Sequence, residues 1–143
     1  MATYNKINDF TEQLMKGVHV WQTHTFRVAL SNSAITAGTT ILGEVTQITQ
    51  QNGYTTGGYP TSINALFETT GTTTVQAAQV VYTASGGTIG PFRYVVLYND
   101  SATSPVDALV AWWDYGSSIS LLDGETFTVK FNNANPGTIF TLA

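Results

Sequence analysis

Two histidines, His19 and His24, and nine carboxylates are the side chains here best suited to act as bases or metal ligands, and there is no cysteine. Nucleophilic catalysis needs a base within hydrogen-bond reach of the nucleophile, or a lowered pKa. A separation of five puts His19 and His24 on opposite faces of a continuous strand, so the spacing predicts that they do not share a site. No serine lies in a Gly-x-Ser-x-Gly elbow. Asp107 and Asp114 fall on opposite faces of one predicted strand, and Asp123 and Glu125 flank Gly124 in a predicted turn. Neither pair has metal-ligand spacing. The remaining acids lie mostly at turns and strand ends, with no pair that sequence spacing marks as the facing carboxylates of a glycosidase. The glycine-rich loops are followed neither by Lys-Ser/Thr nor by a helix, so no phosphate cradle is read. Asn99-Asp100-Ser101 matches a glycosylation triplet but carries little weight without a secretion signal. The expectation is a protein that is not an enzyme and uses no metal or cofactor.

Such a protein works through its surface, and composition says what kind of surface. A chain of 143 residues with 43% hydrophobic and 12% aromatic residues can bury one sizeable core, so we expect a single domain over 1–143. Charged residues make up only 10%, against about 25% in an average soluble protein. A surface of Thr, Ser, Asn, Gln and Gly costs less to desolvate than one of Lys and Glu, which suits extensive protein contact. It is equally the composition of an ordinary uncharged β surface. The fixed cations are Lys6, Lys16, Arg27, Arg93 and Lys130, scattered over a chain of net charge −4. Nucleic-acid binding needs several cations on one face, so none is expected. The N-terminal sequence lacks the basic and apolar regions of a signal peptide, and no apolar run approaches a membrane span.

The hydrophobic pattern then assigns the elements. Ile7, Phe10, Leu14 and Met15 share one face of a predicted helix over about 5–15, with Gly17 as its stop. Beyond Gly17 the period becomes two: Val18 and Val20, then Phe26, Val28 and Leu30, read as a half-buried strand. Residues 41–48 are ambiguous between helix and strand, and 50–60 is a glycine-rich loop carrying two tyrosines. Further strands are predicted around Ile63–Thr69, 72–76 and 80–82, the 72–76 run pairing back as a hairpin across Gly71. The strongest are 89–98 and 106–115, with a turn at 116–118. Asp123-Gly124 reads as a hairpin turn before the strand of Phe127, Val129 and Phe131; a last strand spans 138–142. About eight short strands and one N-terminal helix predict an all-β, antiparallel β-sandwich or jelly-roll-like domain. In both strong strands large apolar residues point both ways: Phe92, Tyr94, Val96 and Tyr98 oppose Val95 and Leu97, and Trp112 opposes Trp113 and Tyr115. A sheet with one wet face does not look like this, so either the N-terminal helix or a partner protein covers the second face.

Three stretches carry a family resemblance. They are MATYNKINDFTEQLMKGVHVWQTHTFRVALSNS, YTASGGTIGPFRYVVLYNDSAT and WWDYGSSISLLDGETFTVKFNNANPGTIFTLA. Together they resemble small virion structural proteins of tailed bacteriophages, with an opening helix, an ASGG-x-IGP-x-RY-x-VLY block and a terminal DGE-x-FT hairpin. The matching residues are fold-building positions and turn glycines, and the resemblance weakens between Thr36 and Gln79. It implies a capsid decoration (cement) protein that bridges neighbouring major capsid subunits on the virion surface, as a homo-oligomer, assembled in the host cytoplasm. On that reading Ile7, Phe10, Leu14 and Trp21 form one contact region and Tyr54 and Tyr59 another. The alternative is a tail, collar or fibre component in which Trp113 or Tyr115, with Asp114, faces a carbohydrate receptor.

Overall fold

Because most strands are short, each needs partners to persist, and the chain supplies them by nesting early strands against late ones. The computed structural model describes residues 2–143. In chain order the elements are β1 (Tyr4–Lys6), α1 (Phe10–Met15), β2 (Phe26–Ser31), a 3-10 turn (Leu42–Glu44), β3 (Tyr59–Thr61), β4 (Ile63–Thr69) and β5 (Thr72–Ala77). There follow β6 (Val80–Thr83), β7 (Ile89–Asn99), β8 (Leu109–Leu121), β9 (Thr126–Val129), a second 3-10 turn (Phe131–Asn133) and β10 (Gly137–Leu142). A five-stranded antiparallel sheet has the order β1-β8-β7-β2-β3. Facing it, β10-β5-β4 and β6-β9 form two shorter ladders. These two are one interrupted ladder: β5 and β6 run on through Ala78 and Gln79, and their partners β10 and β9 are separated by the loop 130–136. The break is hydrogen-bonded throughout. Asn135 Oδ1 accepts from Gln79 N at 3.1 Å, Ala78 N donates to Ser62 O at 2.8 Å, and Thr61 Oγ1 donates to Ala78 O at 2.7 Å. The all-β sandwich read from the sequence is therefore the observed architecture.

Four local expectations are corrected. The N-terminal helix covers only Phe10–Met15, because residues 4–6 pair with β8 instead, Tyr4 opposite Trp113. An isolated helical turn gains little, whereas a strand beside β8 satisfies its backbone at once. Val18 and Val20 lie in no strand but in an irregular stretch between two turns, held by Val18 N to Gln13 O at 3.0 Å and His24 N to Val20 O at 2.9 Å. Gly116–Ser118 does not reverse the chain: β8 runs through it, and the extra residues are taken up as a bulge between the Tyr94–Asp114 and Phe92–Ile119 pairs. Asp123-Gly124 is a turn, but it links β8 in one sheet to β9 in the other and closes no hairpin.

The bulge also resets side-chain alternation in β7. Val95, Leu97 and their partners Trp113 and Ala111 face the second layer, and Val96 with Trp112 faces away. Phe92 does not follow Val96: it packs edge-on against Phe127 of β9, centroids 4.9 Å apart. The outward face is still buried, with Ala29 and Val96 at 0% exposure. A stretch of the same chain other than α1 packs against it. The segment 32–58 adds Ile35, Leu42, Val45 and Ile48 to the same core, bridges to β2 at Ser31–Gln47, and offers Gly57 O to the Tyr98 hydroxyl at 2.7 Å.

Candidate functional site

The two histidines converge, contrary to the strand reading, because the residues between them turn rather than extend. His24 Nδ1 lies 2.9 Å and His19 Nδ1 3.3 Å from Asn99 Nδ2, which also donates to Val18 O at 3.0 Å. Asn99 Oδ1 accepts from Ser101 N at 3.0 Å, so the amide is oriented with its NH2 toward both rings. Its two hydrogens face Val18 O and the two ring Nδ1 atoms, and His19 Nε2 is buried without a hydrogen-bond partner. Asn99 is fully buried, so the glycosylation triplet is closed in the folded chain. The arrangement ties the 17–25 turn to the end of β7. Neither Nδ1 faces a hydroxyl.

This geometry makes folding sensitive to acid. Burial, then the neighbouring His24, pushes the His19 pKa down to about 4, with Asp9 opposing slightly. An unfolded histidine titrates near 6.5. Between these values the unfolded chain binds more protons, so the His19 contribution is fully present above about pH 6.5 and is lost as pH falls toward 4. The loss is on the order of 3 kcal/mol. In His19→Gln the fall in thermal midpoint between pH 7 and pH 4 is expected to be markedly shallower than in the unsubstituted protein. Parallel curves would exclude the linkage.

Several of the carboxylates hold turns. Glu44 Oε2 accepts from Thr40 N at 2.7 Å, Asp123 Oδ1 from Gly86 N at 2.8 Å and Glu125 Oε2 from Leu122 N at 2.8 Å. Asp114 takes a bidentate pair from Arg93 at 2.7 and 2.9 Å and a bond from Gly116 N. Those contacts, Arg93 foremost, hold its carboxyl below the usual aspartate range. Among the described residues no three His, Cys, Asp or Glu side chains group as a metal site.

An open groove of about 790 Å³ lies between β1–β8 and β9–β10. Tyr4, Trp113, Tyr115, Phe127 and Phe140 line it, with Lys130, Asn132 and Asn133 at its rim. Trp113 sits edge-on to Tyr4 at 5.8 Å, and Tyr115 to Phe127 at 5.9 Å. Burial in this wall pushes the Tyr4 hydroxyl pKa up to about 12. Asn132 and Asn133 both have positive φ, 47° and 55°, a conformation asparagine tolerates better than most residues.

The residues expected at contact regions divide sharply. Ile7, Phe10, Trp21 and Tyr54 are core, at 0%, 2%, 6% and 1% exposure, and offer no surface to a partner. Phe10 and Trp21 pack with Phe140, and the Tyr54 hydroxyl accepts from Leu30 N at 3.1 Å. The sequence marked them because large aromatics suit an interface core and a protein core equally. Leu14 and Tyr59 are half-buried against the core, Tyr59 stacked on Tyr82 at 5.0 Å. Trp113 and Tyr115 share the groove, as alternation along β8 predicts, whereas Asp114 points away to Arg93. The Asn99–His19–His24 cluster was invisible in the sequence, since only the turn at 20–24 brings the rings together. No family model, curated protein or solved structure matches the chain.

Proposed function

We propose that this chain is a virion structural protein of a tailed bacteriophage, a capsid decoration protein that binds several neighbouring capsid subunits and holds them together. One observation carries the reading: the surface is poor in charge yet rich in exposed apolar side chains. Met15, Val106, Tyr115, Leu122 and Leu142 are each at least half exposed. Three of the five cations are paired, Lys16 with Glu12, Arg27 with Asp100 and Arg93 with Asp114. Such a surface loses little by being desolvated against a shell. The resemblance supports the same role, since its three stretches supply β1, β2, β7 and most of β8 in the large sheet and the β9–β10 end of the second layer. Acting in many copies, each bound only to the assembled shell, the protein would stabilise that shell by mass action.

The aromatic groove favours a second reading, a tail or fibre component with a glycan-binding face. Exposed aromatic rings beside neutral amides suit the apolar faces and hydroxyls of a sugar. One experiment separates the two. A cryo-EM reconstruction of the parent virion is expected to show this chain on the capsid, in contact with more than one shell subunit. Density for it in the tail alone would overturn the decoration role.

A further inference from the structure

We infer that the edge of β4 pairs with the same edge of a second copy of this chain, joining two molecules about a two-fold axis through Phe67. The inference does not depend on the virion role.

β4 is the outer strand of β10-β5-β4. An edge strand presents unpaired N–H and C=O groups, and proteins ordinarily guard it with charge, Pro, a bulge or a cover. Ile63–Thr69 contains neither Lys nor Pro; its guards are one bulge, before Ala65, and one charge, Glu68. From Leu66 to Thr69 every residue is exposed, with Leu66 at 39% and Phe67 at 44%.

The hairpin phase fixes which groups are free. Thr70 (φ 49°) and Gly71 (φ 85°) form a two-residue turn with both φ positive, the type I′ geometry. The residues flanking such a turn, Thr69 and Thr72, form a hydrogen-bonded pair. Alternation then directs the backbone groups of Thr69, Phe67 and Ala65 inward to β5, and those of Leu66 and Glu68 outward. The bulge between Ile63 and Ala65 ends the regular edge on its other side.

Two copies match this short edge best when Leu66 of each meets Glu68 of the other. All the outward groups of the four residues are then satisfied in two hydrogen-bonded pairs. Phe67 meets its own copy at the non-bonded position between them, and aromatic cross-strand pairs are among the favourable ones. Glu68 is the only charge on the strand. In this register it falls opposite Leu66 rather than its own copy, and its carboxylate is already drawn back to Gly71 N in the turn. A foreign strand would have to reproduce this length and charge spacing; a second copy does so by symmetry.

The chain has no cysteine, so a single introduced thiol reports the contact cleanly. Facing residues at a non-bonded antiparallel position have Cα atoms about 4.5 Å apart, within disulfide range. Phe67→Cys under mild oxidation is expected to give a covalent dimer in high yield. Thr69→Cys, whose nearest cross-axis residue is Ala65, is expected to give at least tenfold less. Sedimentation of the unsubstituted protein should show a concentration-dependent dimer that Phe67→Lys abolishes. Equal cross-linking of both cysteine variants, or no cross-linking with a monomer at every concentration, would overturn the inference. Strand pairing to a different protein would leave that second signature.

Discussion

Trp21→Ala is expected to destabilise the protein by about 3–5 kcal/mol, read as a shift in the urea midpoint at constant slope. Trp21 stacks on Phe26 with centroids 4.1 Å apart and planes 2° from parallel. Phe140, Phe10 and His19 surround it at 5.3, 6.3 and 6.3 Å. It thus joins the N-terminal turns, β2 and β10, which are far apart in sequence. Removing the indole opens a cavity that three separate segments would have to close together. The indole Nε1 is buried with no hydrogen-bond partner, so the loss is one of packing and the effect of Trp21→Phe should be much smaller. A residue serving only a partner surface would behave differently: truncation would leave the midpoint within about 0.5 kcal/mol and weaken assembly alone.

Gly58→Ala is expected to cost a comparable amount, about 3–5 kcal/mol, by a different route. Gly58 has φ +69°, and an added Cβ would lie 1.7 Å from Val28 O and 2.8 Å from Ala29 Cα. Those are backbone atoms of β2, the strand on which β3 is laid. The neighbouring groups are engaged and cannot yield: Gly58 N donates to Thr55 O, Gly58 O accepts from Arg27 Nη1, and the Tyr82 hydroxyl donates to Val28 O. Gly71→Ala is the comparison. Its φ is +85°, but a Cβ there meets nothing within 4 Å, so only the left-handed strain of about 1 kcal/mol should be measured. Equal midpoints for the two variants would refute the claim that close approach, not conformation, demands glycine at 58.

These two sites show how far the sequence could be read. The period-two pattern located β4, β5, β6, β7 and β9, and the turn at Gly71, because a half-buried strand writes its geometry into alternation. It failed at the far end of β8, where a bulge carries the strand through residues that read as a turn. Arg93 and Gly116–Ser118 break the alternation locally, and no local signal distinguishes a bulge from a turn. The N-terminal prediction failed through competition: the helix predicted from about residue 5 loses its first turn to the free side of β8, over a hundred residues later. For the candidate surfaces, residue type marked aromatics correctly as energetic anchors but could not say what they anchor. Trp113 and Tyr115 reach the groove, while Trp21 and Tyr54 hold the interior. Segment 32–58 has too little periodicity to reveal that it lids a sheet.

The nesting of early strands against late ones bears on how the chain leaves the ribosome. β1 waits for β8, β2 for β7, and β5 and β6 for β10 and β9. Once residue 77 has been made, the ladders that can close are β2–β3, across a long loop, and the β4–β5 hairpin, across a two-residue turn. Loop closure over such spans is slow, and unfinished strand edges invite pairing between chains. The nascent protein therefore displays a preformed hairpin with an exposed edge well before its core exists. Polysomes crowd identical chains together at that stage, so self-association and co-translational misassembly would begin from the same few residues. Expression yield should then respond to substitutions at the β4 edge that leave the finished protein's stability unchanged.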